Sequence, residues 1–339
     1  ETLGRLIAMM NSQNKRNALV FDGKVFLGTI RKLDLLITHE PIAEMKVANI
    51  VKATTLLDEN ADAIEAAYIM FNVSANMLPV QRDGKIIGVV QVIDIIKLIS
   101  DYDELKNMTA EDVSYNKTVG VDEDERIGVV LHMMHDLHTY NIPLLSGGKL
   151  AGMISISDIL SKYSSQLSDS RQHGNKQTKD VKSKGHDSER SGIEDLPVRN
   201  FAAMGVPESI DYNSKLHNAA QLMNKRNIMS LAVMKNGAIS GILTANDVLR
   251  AMASLYIGPK FNIKFAGLNK VKLAPDKLEY MQHIISHEAE KLRHYFDGDF
   301  DLEVRIKAYT KGGNREKYAV SMKMDGPGKI IESEEADWD

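Results

Sequence analysis

Four copies of one short cassette constrain this chain more than any other feature. They are GTIRKLD (Gly28 to Asp34), GVVQVID (Gly88 to Asp94), GMISISD (Gly152 to Asp158) and GILTAND (Gly241 to Asp247). Each is an apolar strand that ends in an aspartate and runs directly into a helix-like run: LLI, IIKLI, ILSKY or VLRAM. Each follows a two-residue turn signal: Asp22-Gly23, Asp83-Gly84, Gly147-Gly148 or Asn236-Gly237. Both residues of such a pair tolerate positive φ, so the pair marks a tight hairpin between apolar strands. A hairpin that recurs with flanking helices predicts a repeat architecture.

Composition bounds the rest. The 339 residues suit two or three domains, and 43% hydrophobic with 26% charged residues is an ordinary globular mixture. A net charge of -4 exerts no global pull toward nucleic acid or membrane, so any basic surface is local. The absence of cysteine excludes a disulfide framework, a thiol nucleophile and cysteine-ligated zinc, and it fits a reducing, cytoplasmic setting. No apolar run is long enough to cross a bilayer. Residue 1 is Glu and the first repeat lacks its opening strand, so an incomplete N-terminus is expected.

The repeats resemble the CBS domain, a small β-α-β-β-α module that packs in pairs. The resemblance covers roughly residues 1 to 256. It implies an α+β fold with motif one at 1–40, motif two at 45–100, motif three at 105–163 and motif four at 196–256, motifs one and two forming one pair and three and four the other. Residues 164–195 are rich in Ser, Lys, Asp, Gln and Gly and read as a flexible linker. The resemblance also implies an adenosyl effector (AMP, ADP, ATP or S-adenosylmethionine), with no cofactor required. An aspartate at a helix start can accept from ribose hydroxyls, a Ser or Thr three residues earlier can donate to phosphate, and the helix N-terminus favours an anion. Adenine would stack near Ile142 and Met229. Ser155 with Asp158 and Thr244 with Asp247 match this pattern, whereas Arg31 and Gln91 stand where the hydroxyl belongs. The second pair is therefore expected to carry the ligand and the first to be structural or dimerising. Against this, every aspartate could serve only as a helix cap, and Arg31 could meet a phosphate as a fork donor.

Other constellations do not reach a site. His132, His135 and His138 do not share one helix face, and no further ligand follows at zinc spacing. Asp297 to Asp301 resembles the start of a calcium loop, but Leu302 and Ala308 replace the required Gly and Glu. No nucleophile–base–acid set is visible, so no catalysis and no metal are expected.

After Ile257-Gly258-Pro259 the pattern changes. Asn262 to Phe265 reads as a strand and Pro275 to Phe296 as one long helix; Leu302 to Ala308 and Tyr318 to Met324 alternate as half-buried strands, and Gly328 to Ser333 is a candidate fourth. With NIKFAG (Asn262 to Gly267), EKLRHYFDG (Glu290 to Gly298) and LEVRIKA (Leu302 to Ala308), residues 260–339 resemble the ribosome hibernation-promoting factors, whose fold is β-α-β-β-β-α. The final helix of that family is missing here, so an incomplete C-terminus is expected as well. The resemblance implies RNA binding through Arg305, Lys307, Lys311, Arg315, Lys317 and Lys323 on the wet strands, with His283, His287, Lys291 and Arg293 on the helix. The whole chain thus reads as a cytoplasmic archaeal regulator. It would dimerise through exposed CBS helix faces and dock on the rRNA of the small ribosomal subunit when energy is low. The alternative is an adenosyl-sensing module acting on a non-ribosomal partner. The CBS pairs and the C-terminal module are expected to bury separate cores.

Overall fold

A computed structural model describes residues 2–13, 15–32, 45–113, 120–136, 139–159, 194–201, 203–204, 207–268, 271, 275–293, 295–296, 298–310 and 316–338. Motif one comprises α1 (Leu3–Ser12), β1 (Asn17–Asp22) and β2 (Val25–Arg31). Motif two comprises β3 (Leu57–Asp58), α2 (Ala63–Asn72), β4 (Met77–Arg82), β5 (Lys85–Gln91) and α3 (Val92–Ile96). Motif three contains β6 (Val121–Asp122), α4 (Ile127–Asp136), β7 (Asn141–Ser146) and β8 (Lys149–Ser155). Motif four contains β9 (Ala203–Met204), β10 (Ser209–Asp211), α5 (Leu216–Arg226), β11 (Ser230–Lys235), β12 (Ala238–Thr244) and α6 (Ala245–Ala253). The C-terminal module follows as β13 (Phe261–Ala266), α7 (Pro275–Arg293), β14 (Phe300–Thr310), β15 (Glu316–Gly326) and β16 (Lys329–Trp338).

The four hairpins are copies down to their irregularities. Each carries a register shift at the same place: Val20/Phe21, Val80/Gln81, Leu144/Leu145 and Val233/Met234. Each is closed below by one backbone bond from the residue after the second strand, at 2.8 to 3.1 Å: Lys32 to Arg16, Val92 to Asn76, Ile156 to Tyr140 and Ala245 to Met229.

Within each pair, the segment entering the later motif completes the sheet of the earlier one. Lys52 exchanges two backbone bonds with Thr29 of β2, at 2.9 and 3.0 Å. Gly28 makes room for it, because a Cβ there would stand 2.1 Å from the Lys52 carbonyl oxygen. The same operation places β9 beside β8, with Met153 opposite Ala203. This joins one to two and three to four, and Ile242 of β12 enters the motif-three core.

The two pairs then meet through helices. α6 packs on α2 and α3, and α3 also meets α5. Ile95, Ile96 and Ile99 of the IIKLI run are buried in that core. The surface that the sequence offers to a second copy at this run is therefore covered within the chain; the LLI run lies outside the described residues. The expectation of separate cores does not hold either. Phe261, Ile285, Ala289, Phe300, Leu302 and Val304 of the C-terminal module belong to the same buried cluster as motifs two and four. Tyr68 of α2 sits at this junction: its ring stacks on Tyr256 at 4.2 Å, meets Phe261 edge-on at 6.2 Å, and its hydroxyl accepts the Phe261 N–H at 3.0 Å. Such aromatic pairs add to the apolar area they bury.

The C-terminal sheet runs β13-β14-β15-β16, the first pair parallel and the others antiparallel. A parallel neighbour needs a crossover, and α7 supplies it. Leu302, Val304 and Ile306 are buried, the first two in the cluster that holds Ile285 and Ala289 of α7, and the residues between them are more exposed.

Candidate functional site

The aspartates at the cassette ends are engaged first as caps. In motif four the Thr244 hydroxyl donates to Asp247 Oδ2 at 2.8 Å and accepts the Asp247 N–H at 3.3 Å, while the Thr244 N–H donates to Oδ2 at 2.8 Å. Arg250 donates to Oδ1 at 3.0 Å. In motif three Ser155 and Asp158 repeat the arrangement at 2.6, 3.2 and 2.9 Å. This is a reciprocal capping box, which satisfies orphan N–H groups at the helix start. Burial pushes the Asp247 carboxyl above its usual range, against the pull of the Thr244 bonds. A ligand using these oxygens has to open the box. In motif two, the Gln91 N–H still donates to Asp94 at 3.1 Å; Asp34 lies outside the described residues. Ile142 is fully buried in its own core, and the Met229 carbonyl already accepts the Ala245 N–H.

What the sequence did not single out is where the four hairpin bases meet. Arg16, Asn76 and Tyr140 hold equivalent positions in motifs one, two and three, and they converge. The Asn76 amide donates to the Tyr140 hydroxyl at 2.6 Å, and Arg16 reaches across to Asn227, donating to its carbonyl at 2.5 Å and its side-chain oxygen at 3.2 Å. Beside them Lys32 is 2% exposed, its ammonium 3.5 Å from the Ser157 hydroxyl. Among the described residues no carboxylate pairs with either cation. Burial holds the Lys32 amine below its usual range, and the Arg16 charge adds to the effect. A buried ammonium beside a second, half-buried cation is costly unless an anion joins them.

A narrow cleft of about 20 Å³, room for about one water molecule, opens nearby between motifs one and two. Arg31, Lys52, Asn17, Thr54 and Asn76 line it, and among its described lining residues there is no Asp or Glu. Asn17 Oδ1 is buried there with no partner among the described residues. Arg31 takes the place of the expected hydroxyl and donates to the Ser74 carbonyl at 3.4 Å.

A family model for the CBS domain matches residues 110–165 and 193–254. Those residues, in motifs three and four, form CBS domains. Protein MJ1225 from Methanocaldococcus jannaschii, named as a candidate archaeal homolog of g-AMPK, superposes with a TM-score of 0.61 at 22% identity, over 75% of this chain and 94% of that one; the likeness shows the fold. The uncharacterized protein MJ1404 of the same organism is 22% identical over 316 residues, which is 92% of this chain and 70% of that protein. An uncharacterized 33.4 kDa protein in a ribosomal RNA operon of Thermofilum pendens is 24% identical over 50% of this chain and 51% of its own length.

Motif two and the segment leading into it also fix the helix that the sequence assigned to RNA. Arg293 is 3% exposed and ion-paired to Glu290 at 2.6 Å and to Glu65 of α2 at 2.9 Å; it also bonds the Tyr256 hydroxyl. It is not available to RNA, because α7 packs this face against α2. His287 is buried, its ring 2.7 Å from the Thr55 hydroxyl, and His283 bonds the Ala53 carbonyl at 2.8 Å. Burial lowers His287 to about 4 and raises Glu290 to about 7. Lys291 is exposed and paired to Glu288. Lys311 and Arg315 lie outside the described residues.

On the open face of the C-terminal sheet, register places Lys264, Arg305, Lys307, Lys317 and Lys323 together with Asp301, Glu303, Asp325, Glu332 and Glu334. Glu303 pairs with Arg305 at 2.8 Å, Asp301 with Lys264 at 3.4 Å and Glu332 with Lys323 at 3.5 Å. The field of this face is therefore mixed. Among the described residues no helix is long and apolar enough to cross a membrane, and no group of three or more His, Cys, Asp or Glu is placed to hold a metal ion.

Proposed function

We propose that this chain is a non-enzymatic sensor of a phosphate-bearing adenosyl ligand, AMP, ADP or ATP, which regulates a partner through its C-terminal module. The observation that carries the reading is Lys32, buried beside Arg16 where the four CBS motifs meet. A phosphate there would neutralise both cations and accept charge-assisted hydrogen bonds. Asp158 and Asp247 would take the ribose hydroxyls by opening their capping boxes. Calorimetry tests this: AMP or ATP should bind, S-adenosylmethionine, which has no phosphate, should bind far more weakly, and Lys32→Ala should weaken the nucleotides by about tenfold or more. Tight S-adenosylmethionine binding that is indifferent to Lys32→Ala overturns it.

A second reading places the C-terminal module on the small ribosomal subunit, with a homodimer able to block or join two subunits. Its support is the β-α-β-β-β strand order, with Arg305, Lys307, Lys317 and Lys323 on one open face, and a relative named for a ribosomal RNA operon. The interleaved carboxylates of that face rank it second. Co-sedimentation with small subunits, lost on joint replacement of those four residues by Ala and steeply weakened by salt, is the expected result under this reading.

A further inference from the structure

A cavity of about 430 Å³ lies between α7, the hairpin of motif one and the segment that leads into motif two. Sites for small organic ligands have this size. No cassette aspartate and no hairpin-base residue is among its described lining residues. One wall is apolar: Phe26 and Leu27 supply it from β2, with Leu56 from the entering segment. Leu27 is 40% exposed, so this wall reaches the mouth. A second wall is polar and comes from α7, where His287, Glu290 and Lys291 share one helix face by their spacing. Two of the three are already engaged, Lys291 with Glu288 at 2.8 Å and His287 with the Thr55 hydroxyl at 2.7 Å. Glu290 is only half engaged. It is 1% exposed; its Oε1 accepts from Arg293 Nε at 2.6 Å, and its Oε2 has no partner among the described residues. Burial raises this carboxyl to about 7, against the pull of Arg293, and burial keeps His287 uncharged at neutral pH. A buried carboxylate oxygen without a donor is costly.

We propose that this cavity binds a small organic cation, an ammonium or amidinium group carried on an apolar body. The cationic N–H group donates to Glu290 Oε2, and the body lies on Phe26, Leu27 and Leu56. An anionic ligand would meet Glu290 as a like charge. The bound cation touches β2, the segment 53–56 and α7 at once, so occupancy holds the C-terminal module to motif one. A cation favours the ionised carboxylate, so its affinity rises with pH through the Glu290 range and binding there releases a proton. Around that carboxyl stand Arg293, Lys291 and His287 of α7, Glu65 and Tyr68 of α2, and Tyr256. The site is separate from the nucleotide reading above and does not depend on it.

Calorimetry on the full chain tests this, with benzylamine and benzamidine as cationic probes and benzyl alcohol and benzoate as neutral and anionic controls of similar shape. At about pH 8 both cations should bind about tenfold or more tightly than either control, and by about pH 6 they should weaken about tenfold. Glu290→Gln should weaken the cations by about tenfold and remove the pH dependence. Leu27→Lys sets a fixed ammonium at the mouth, at a 40% exposed position with no part in the Arg293 network. It should weaken the cations comparably with an unchanged melting curve, and it keeps the test decisive should Glu290→Gln fold poorly. Three results would each overturn the inference and leave a water-filled hollow: no saturable cation binding at the higher pH, benzoate binding as tightly as benzylamine, or cation affinity indifferent to both substitutions.

Discussion

Arg293 and Arg305 lie in one module, each beside glutamate, and they do different work. Arg293 is 3% exposed, shares Glu290 and Glu65, and has its guanidinium 5.3 and 5.8 Å from the ring centroids of Tyr256 and Tyr68. Arg305 is exposed and meets Glu303 across solvent at 2.8 Å. The pairing distances are alike; the surroundings are not. Water screens the second pair almost completely, whereas the first sits where an unmatched charge cannot be solvated. One arginine fastens modules together, and the other leaves the surface free to bind or not.

The contrast can be broken most directly by Arg293→Ala. It strands Glu290, already with one unpartnered oxygen, and should cost about 3–5 kcal/mol in chemical denaturation, with the C-terminal module loosening from α2. A loss below about 1 kcal/mol would erase the distinction. Tyr68→Phe is expected next, at about 1–3 kcal/mol, because it orphans the buried Phe261 N–H.

A pH titration sharpens the picture. Glu290 stands at about 7 folded against 4.5 in its ordinary state, so the folded form holds the proton more tightly and this group's contribution falls as pH rises between those values. His287 stands at about 4 against 6.5, so its contribution grows as pH rises across that window. The slopes oppose, each worth on the order of 1.4 kcal/mol per pH unit of displacement. The wild type should be nearly flat from pH 5 to 6, and Glu290→Gln should unmask stability that climbs with pH. A Glu290→Gln profile that stays flat removes His287 from the account. The smallest effects belong to the open face: Arg305→Ala and Lys323→Ala should each stay within about 0.5 kcal/mol and lose even that at high salt.

The hairpins, their turns and the helices that precede them were legible because their signals are local. Asp83-Gly84 and Asn236-Gly237 do hold positive φ. The α7 stripe and the strand alternation of residues 302 to 308 were legible for the same reason. What an apolar face packs against was not. The IIKLI run announces burial, but only the fold assigns α6 to it. Arg293 stands in the last turn of a helix beside Lys291, where basic residues look solvated, and its partner Glu65 is 228 residues away. β16 was expected to end at Ser333, yet it runs on to Trp338. An edge strand with little to bury need not alternate, so its carboxylates gave no warning that they face the lysines. The capping boxes were weighed from sequence and are present; the convergence of Arg16, Asn76 and Tyr140 needed four hairpins assembled in space.

The bond pair between Thr29 and Lys52 carries a temporal consequence. During synthesis the first hairpin emerges before Lys52 does, so it must wait with one edge unpaired while the intervening residues leave the exit tunnel. Motif three waits in the same way for Ala203 across an even longer interval. For motifs one and three the smallest stretch that completes the sheet is therefore a pair, whereas motifs two and four build three-stranded sheets from their own strands. A chain interrupted between Arg31 and Lys52 would present a naked strand edge to its neighbours, the kind of surface that chaperones cover and that aggregates grow from.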